Sequence, residues 1–246
     1  MPLIEIENLP AIFELRQETD GPVLVKEQGQ PAVQIAILNL MPVKERTERQ
    51  LLRRLGMSER TVRVTFLTTE TYQATHASKE HMESFYTTIS KVRERHFDGL
   101  IITGAPIENM EFEEGAYWKE LTGIMDWADE KSIGVLFICW GAQAGLYHHY
   151  GIPKQQLDEK LFGVYPHEVE YKRSILFRGF DDMFYVPHSR HTTVARADIE
   201  KVPDLQILAS SPQAGVYAVY ARKHKQIFVT GHSEYDADTL SQEYRR

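Results

Sequence analysis

The stretch Gly134 to Gly145, reading G-V-L-F-I-C-W-G-A-Q-A-G, constrains the fold more than any other part of the 246-residue chain. Val135 to Ile138, followed by Cys139, form a short continuous apolar run, the pattern of a strand buried on both faces. Gly141, Ala142, Ala144 and Gly145 come next and let the chain turn sharply into a helix packed close to the sheet. Such a strand-turn-helix elbow holds its central side chain out at the sheet's edge, and here that side chain is Cys139, the only cysteine. A lone cysteine is most often a small buried hydrophobe. The elbow moves the balance toward a nucleophile. The N-terminus of the following helix stabilises a thiolate, and the backbone N–H of Trp140 points where an oxyanion would form.

The rest of the chain reads as units arranged around that elbow. Residues 1 to 31 carry several Pro and Gly with little periodicity and are expected to form an arm wrapping the domain. Ala32 to Leu40 is a buried-strand run, and Val43 to Leu55 places Leu51, Leu52 and Leu55 on one helical face, with Gly56 as the stop. Thr61 to Leu67 alternates like a strand, and Ser78 caps a helix expected to run through Met82, Phe85, Ile89 and Val92. Gly99 to Thr103 is a third strand, followed by the Gly104-Ala105-Pro106 loop and a helix over Tyr117 to Glu130. Strands alternating with helices of this length predict a mostly parallel sheet with helices on both faces. Ligands of such sheets sit beyond the carboxyl ends of the strands, so Met41 to Lys44, Gly104 to Glu108, and Cys139 with Trp140 should converge. From Gly151 onward, short β-rich pieces (Val164-Tyr165, Ile175 to Phe177, Phe184 to Val186, Gln206 to Leu208, Val216 to Tyr220) predict an antiparallel completion of the same single domain.

A formal net charge of −7 argues against a business of binding nucleic acid or anionic membrane. No apolar run is long enough to span a bilayer, and Met1-Pro2-Leu3-Ile4-Glu5 lacks the layout of a signal peptide, which points to the cytoplasm. One cysteine excludes an intrachain disulfide and a Cys-rich zinc site.

A nucleophilic thiolate needs a base, and the base needs an orienting group. Among ten histidines the best placed lies in Gln226 to Asp236, Q-I-F-V-T-G-H-S-E-Y-D. A strand through Ile227-Phe228-Val229 that stayed extended would turn His232 and Glu234 to the same side. His188 and His191, or His148 and His149, have neither the third ligand nor the spacing of a metal site, so no metal is expected. His148 and His149 are expected at a helix C-terminus, and Glu111, Glu113 and Glu114 in a solvated loop.

Several collinear segments together resemble the homoserine O-acyltransferases related to homoserine O-succinyltransferase, within the class I glutamine-amidotransferase-like superfamily. They are N-L-M-P-V-K (39 to 44), F-D-G-L-I-I-T-G-A-P (97 to 106), L-F-I-C-W-G-A-Q-A (136 to 144), G-I-P-K (151 to 154), E-K-L-F-G-V-Y (159 to 165), R-G-F-D-D-M-F (178 to 184), P-H-S-R (187 to 190) and V-T-G-H-S-E-Y-D-A (229 to 237). The resemblance implies a flavodoxin-like fold and a triad of Cys139 as acyl-thioester nucleophile, His232 as proton acceptor and Glu234 as its partner. It places Lys160, Ser189 and Arg246 at the substrate. It also implies a homodimer and a further segment after the position of Arg246, where this sequence stops.

The implied chemistry is ping-pong acyl transfer from an acyl-CoA to the γ-hydroxyl of L-homoserine, a step of methionine biosynthesis. No bound cofactor is expected. The oxyanion would be held by the N–H groups of Trp140 and Ala105, since Pro106 has none to give. Glu108 sets the acyl group: glycine at this place of the family resembles a succinyl-CoA user and glutamate an acetyl-CoA user. The electrostatics agree, because a second carboxylate about 4 Å from Glu108 is repelled by about 4 kcal/mol at an effective dielectric of 20. The rival readings are a homoserine O-succinyltransferase, a glutamine amidotransferase-like hydrolase, and a silent binding protein with Cys139 merely buried.

Overall fold

The structure is a computed structural model and describes residues 2–71 and 77–245. In chain order its strands and helices are β1 (Pro2–Ile4), α1 (Pro10–Gln17), β2 (Val23–Val25), β3 (Val33–Leu38), α2 (Lys44–Leu55), β4 (Val62–Leu67), α3 (Lys79–Phe85), β5 (Tyr86–Thr87), α4 (Ile89–Val92) and β6 (Gly99–Ile102). There follow α5 (Trp118–Glu130), β7 (Gly134–Ile138), α6 (Trp140–Tyr150), β8 (Lys154–Val169), β9 (Met183–Val194), α7 (Arg196–Glu200), β10 (Leu205–Ser211), β11 (Gly215–Ala221), β12 (Gln226–Val229) and α8 (Thr239–Tyr244). One sheet joins the strands in the order β2-β1-β4-β3-β6-β7-β12-β11-β10-β8-β9, with β5 against β4. From β2 to β12 neighbouring strands are parallel; the ladders from β12 to β9 are antiparallel.

Both faces of the parallel half are covered, and alternation along each strand decides which residue goes where. Ala36 and Leu38 of β3, with Leu100 and Ile102 of β6, pack under α5 against Leu121, Ile124 and Met125. Ile37 and Ile101 belong to the core on the other face, with Leu9 and the α1 residues Ile12 and Leu15, and with Leu51 and Leu52 of α2. Register then brings the carboxyl ends level, with Leu38 opposite Ile102, Ile102 opposite Phe137, and Ile138 opposite Val229.

Three local expectations are corrected. Residues 2 to 25 do not simply wrap the domain: β1 and β2 extend the parallel sheet, with Leu3 opposite Val62, and α1 helps to close one core. Ser78 does cap α3, its Oγ accepting from His81 N at 3.1 Å, but that helix stops at Phe85. Tyr86 and Thr87 leave it to pair with Phe66 and Leu67, and the Tyr86 hydroxyl donates to the buried Glu48 carboxylate. Ile175–Phe177 is not a strand but a 3-10 turn, capped by the Ser174 hydroxyl, which accepts the Leu176 N–H. No helix among the described residues is long and apolar enough to cross a membrane.

Candidate active site

Cys139 sits between β7 and α6 with φ 52° and ψ −115°, a conformation that is strained for any residue with a Cβ. The strain is held from both sides. The Cys139 N–H donates to the Val229 carbonyl at 2.7 Å, continuing the β7–β12 ladder, and its carbonyl accepts from Ala142 N at 3.0 Å to begin the helix. Glycine at 141 is dictated by contact, because a Cβ there would lie 2.6 Å from the Thr103 carbonyl oxygen and 2.9 Å from that of Ile102. The helix thus starts directly against the end of β6.

His232 follows β12, but not as an extension of it. The strand ends at Val229 and residues 232 to 235 form a turn, with Tyr235 N donating to the His232 carbonyl at 3.3 Å. The turn, rather than strand alternation, brings Glu234 Oε1 to 2.7 Å from His232 Nδ1. Both side chains are buried. The Pro187 carbonyl receives the His232 N–H at 2.9 Å, and the Tyr235 ring stacks on the imidazole with centroids 4.2 Å apart. With Nδ1 committed to Glu234, Nε2 is the nitrogen left for sulfur, and a side-chain hydrogen bond joins His232 to Cys139. Burial alone lowers the pKa of this imidazole. The charges of Cys139 and Glu234 and their hydrogen bonds outweigh it and hold the pKa well above its ordinary value.

A cavity of about 370 Å³ opens over the pair, lined by Cys139, His232, Ala105, Glu108, Lys160 and Ser189 among others. Gly104 closes one wall: a Cβ there would come within 3.4 Å of the Cys139 Cβ and 3.7 Å of His232 Cε1. The Thr103 hydroxyl fixes this loop, accepting from Leu40 N at 2.8 Å and donating to the Gly104 carbonyl at 3.1 Å. Lys160 is exposed and lies within an irregularity of the β8–β9 ladder, between the paired residues Gln156 and Leu161, the kind of bulge that re-aims a side chain. Its ammonium lies 4.8 Å from the Phe162 ring centroid. Glu108 is held twice, its carboxylate accepting the His191 N–H and its carbonyl accepting from Lys154 Nζ at 2.6 Å. The Trp140 indole is buried against Phe112 and Tyr117, away from this cavity; the Trp140 backbone opens α6 beside the sulfur. Arg246 lies outside the described residues.

The structure adds residues that local reading missed. His191, Tyr235 and Glu243 also line the cavity, supplied by β9, the turn after β12, and α8. Behind it lies Arg190, fully buried, donating from Nη1 to the Thr192 carbonyl and from Nη2 to the Ala214 carbonyl, each at 2.6 Å. Burial lowers its pKa, while Cys139 and Glu108 pull it upward. Its Nε donates to His188 Nδ1 at 3.4 Å. The tautomers of this chain are fixed by one carbonyl. His167 Nδ1, 2.9 Å from the Tyr165 oxygen, must donate, so its Nε2 accepts from His188 Nε2 at 3.2 Å. No signal short of the tertiary pairing of β8 with β9 would have found this arrangement.

His188 and His191 cannot share an ion, because residues three apart on a strand face opposite ways: the first is buried among His167 and Arg190, and the second lines the cavity. His148 and His149 meet carboxylates of α5, Asp126 at 2.7 Å and Asp129 at 3.5 Å. Among the described residues no three His, Cys, Asp or Glu side chains are placed to hold a metal. The acidic run is partly ordered as a 3-10 turn, Phe112–Glu114, capped reciprocally by Glu111 and Glu114.

Solved structures with this architecture include a glutamine amidotransferase from Thermotoga maritima, with TM-score 0.63 and 15% identity over 88% of this chain and 82% of that one. Another is the glutaminase domain of Trypanosoma brucei CTPS with bound acivicin, with TM-score 0.56 and 14% identity over 85% and 89%. At such identity they speak to the fold, which is that of the class I glutamine amidotransferases. Curated relatives are much nearer in sequence. Homoserine O-acetyltransferase of Geobacillus kaustophilus is 53% identical across all of this chain and 82% of its own length. That of Thermotoga petrophila is likewise 53% identical, covering 100% and 82%, and that of Agathobacter rectalis 54%, covering 100% and 80%. The model of the homoserine O-succinyltransferase family matches residues 4–246. A match of that extent, with relatives of that identity, shows that the chain belongs to the homoserine O-succinyltransferase family of acyltransferases.

Proposed function

We propose that this protein transfers an acetyl group from acetyl-CoA to the γ-hydroxyl of L-homoserine through a thioester on Cys139. What supports this reading most is one convergence: the Cys139–His232–Glu234 relay and the Glu108 carboxylate meet at a single cavity. The thiolate attacks the carbonyl carbon of acetyl-CoA, and the N–H groups of Trp140 and Ala105 take the oxyanion. The coenzyme A sulfur leaves with the proton carried by His232. Homoserine's hydroxyl then gives its proton to the imidazole as its oxygen attacks the thioester, and the Cys139 sulfur departs as thiolate. Glu234 keeps Nε2 directed at the reacting atoms and stabilises the imidazolium. Lys160 offers a cation to the amino acid's carboxylate and Ser189 a hydroxyl, with Arg246 the third contact.

Glu108 carries the choice of acyl group. Its carboxylate, pinned to the His191 N–H, leaves acetyl room and repels the distal carboxylate of succinyl. Mass spectrometry after incubation with acetyl-CoA alone tests the thioester: one acetyl group on Cys139 is expected, and an unmodified Cys139 would refute the intermediate. Comparison of kcat/KM for acetyl-CoA and succinyl-CoA tests the donor, with a preference for succinyl-CoA counting against the role of Glu108. Release of ammonia from glutamine would favour the hydrolase instead.

A further inference from the structure

Beside the catalytic cavity a second one opens, of about 330 Å³. The two share Met41, Pro42 and Pro106, so the loops after β3 and β6 form a partition between them. Their linings differ in character. The catalytic side gathers Lys160, Ser189 and Glu243, which suit a small zwitterion, whereas the second cavity continues over Ile107, Met110 and Ala116. The cation at this second cavity is the buried Lys44, whose ammonium donates to the Asn39 carbonyl. Burial, only partly offset by Glu48, draws its pKa down to about 8.

The partition bears directly on how a thioester can approach. Its carbonyl must reach Cys139 with the oxygen toward the Ala105 N–H, on the same turn whose next residue, Pro106, faces both cavities. The chain beyond the thioester sulfur then has two ways to go. One lies among the polar groups that an amino acid needs, and the other crosses Pro106 and Met41 into a trough that is mainly apolar, with Asn39, Thr68 and Thr69 also on its lining.

We propose that the second cavity holds the acyl donor's arm, the flexible apolar chain with two amides that joins the thioester sulfur of coenzyme A to its nucleotide, leaving the Cys139 cavity to the amino acid. This assignment rests on the acetyl-transfer reading above. Separate seats let the spent carrier leave while the amino acid approaches the acyl-enzyme from the other side of the partition.

Met110 and Ala116 are both exposed at the cavity, so Ala116→Trp and Met110→Trp fill it without touching the triad. Acetylation of Cys139 is measured with acetyl-CoA and with phenyl thioacetate, an activated thioester that has no arm. The expected result is a fall of at least tenfold in kcat/KM for acetyl-CoA, with the phenyl thioacetate rate within twofold of the unsubstituted protein. Unchanged use of acetyl-CoA by both variants, or equal loss with both donors, would overturn the assignment. The unsubstituted chain gives an independent readout: desulfo-coenzyme A, which has the arm but no sulfur, should slow amide hydrogen exchange within residues 107 to 117, and protection confined to other segments would count against the site. If the unsubstituted protein takes acetyl from neither donor, the transfer reading itself fails and the arm site goes with it.

Discussion

Glu234 Oε1 reaches His232 Nδ1 at 2.7 Å across a single residue, Ser233, whose own hydroxyl turns away to meet that of Tyr217 at 2.5 Å. The pairing fixes which imidazole nitrogen faces Cys139. Glu234→Gln keeps the shape but removes the charge and permits the wrong tautomer, so kcat/KM should fall by roughly 10²- to 10⁴-fold, and the fold should lose part of the stability that the raised His232 pKa supplies. Steady-state kinetics and a denaturation curve check this, and activity within twofold of the unsubstituted protein would contradict it.

The charge on the His232 imidazole is sustained by its neighbours. Burial by itself disfavours the imidazolium, and the sulfur is the strongest influence acting against it. In Cys139→Ala that influence is gone, so the imidazole pKa should drop, observable in the ¹⁵N shifts of His232 between pH 5 and pH 9. An unaltered titration would mean that Glu234 alone sustains it.

Buried imidazoles make stability fall on mild acidification. Burial, with Arg190, His167 and His232 nearby, depresses His188 to about 2. Burial likewise depresses His149 to about 4. Below the ordinary value of about 6.5 the unfolded chain binds protons that the folded chain refuses. Unfolding free energy should therefore fall as pH drops from about 6.5, by up to about 1.4 kcal/mol per pH unit for each imidazole. His232 acts in the opposite sense: its folded pKa is raised, so its contribution is full below about 6.5 and is lost as pH rises through the folded value. Urea denaturation from pH 5 to pH 9 should show a maximum near pH 6.5, and a monotonic rise with pH would be inconsistent with this balance.

Gly231 is a contact position. A Cβ there would meet Val186 Cγ1 at 2.5 Å and His188 Cε1 at 3.0 Å, both in buried residues. Gly231→Ala should cost about 1–3 kcal/mol, the usual penalty for overpacking, and slow Cys139 alkylation by shifting the adjacent His232. Denaturation and iodoacetamide kinetics report the two effects separately, and a variant unchanged in both would show the wall to be compliant.

Glu108→Gly removes the carboxylate tied to His191. The ratio of kcat/KM for succinyl-CoA over acetyl-CoA should rise at least tenfold; the bare repulsion of about 4 kcal/mol sets an upper limit near 10³-fold, because the half-buried carboxylate is partly screened. A constant ratio across the substitution would assign selectivity to another residue.

Where structure follows from neighbours in sequence, the sequence was sufficient. The apolar run into Cys139, the small residues after it and the strand-helix alternation before it already specify an elbow on a parallel sheet, because pattern and steric size act within a few residues. His232 and Glu234 were legible too, though for the wrong local reason: a turn stabilised by tertiary packing brings them together, not an extended strand. Hydrophobic periodicity could not show that β1 and β2 enter the sheet, that Tyr86 leaves its helix to meet Glu48, or that β8 is a 16-residue strand of largely polar residues, since each depends on a partner distant in the chain. The same holds for the buried Arg190 and for the paired cavities. Tertiary structure alone decided them, because a charge or a cavity takes its meaning from what the fold places around it.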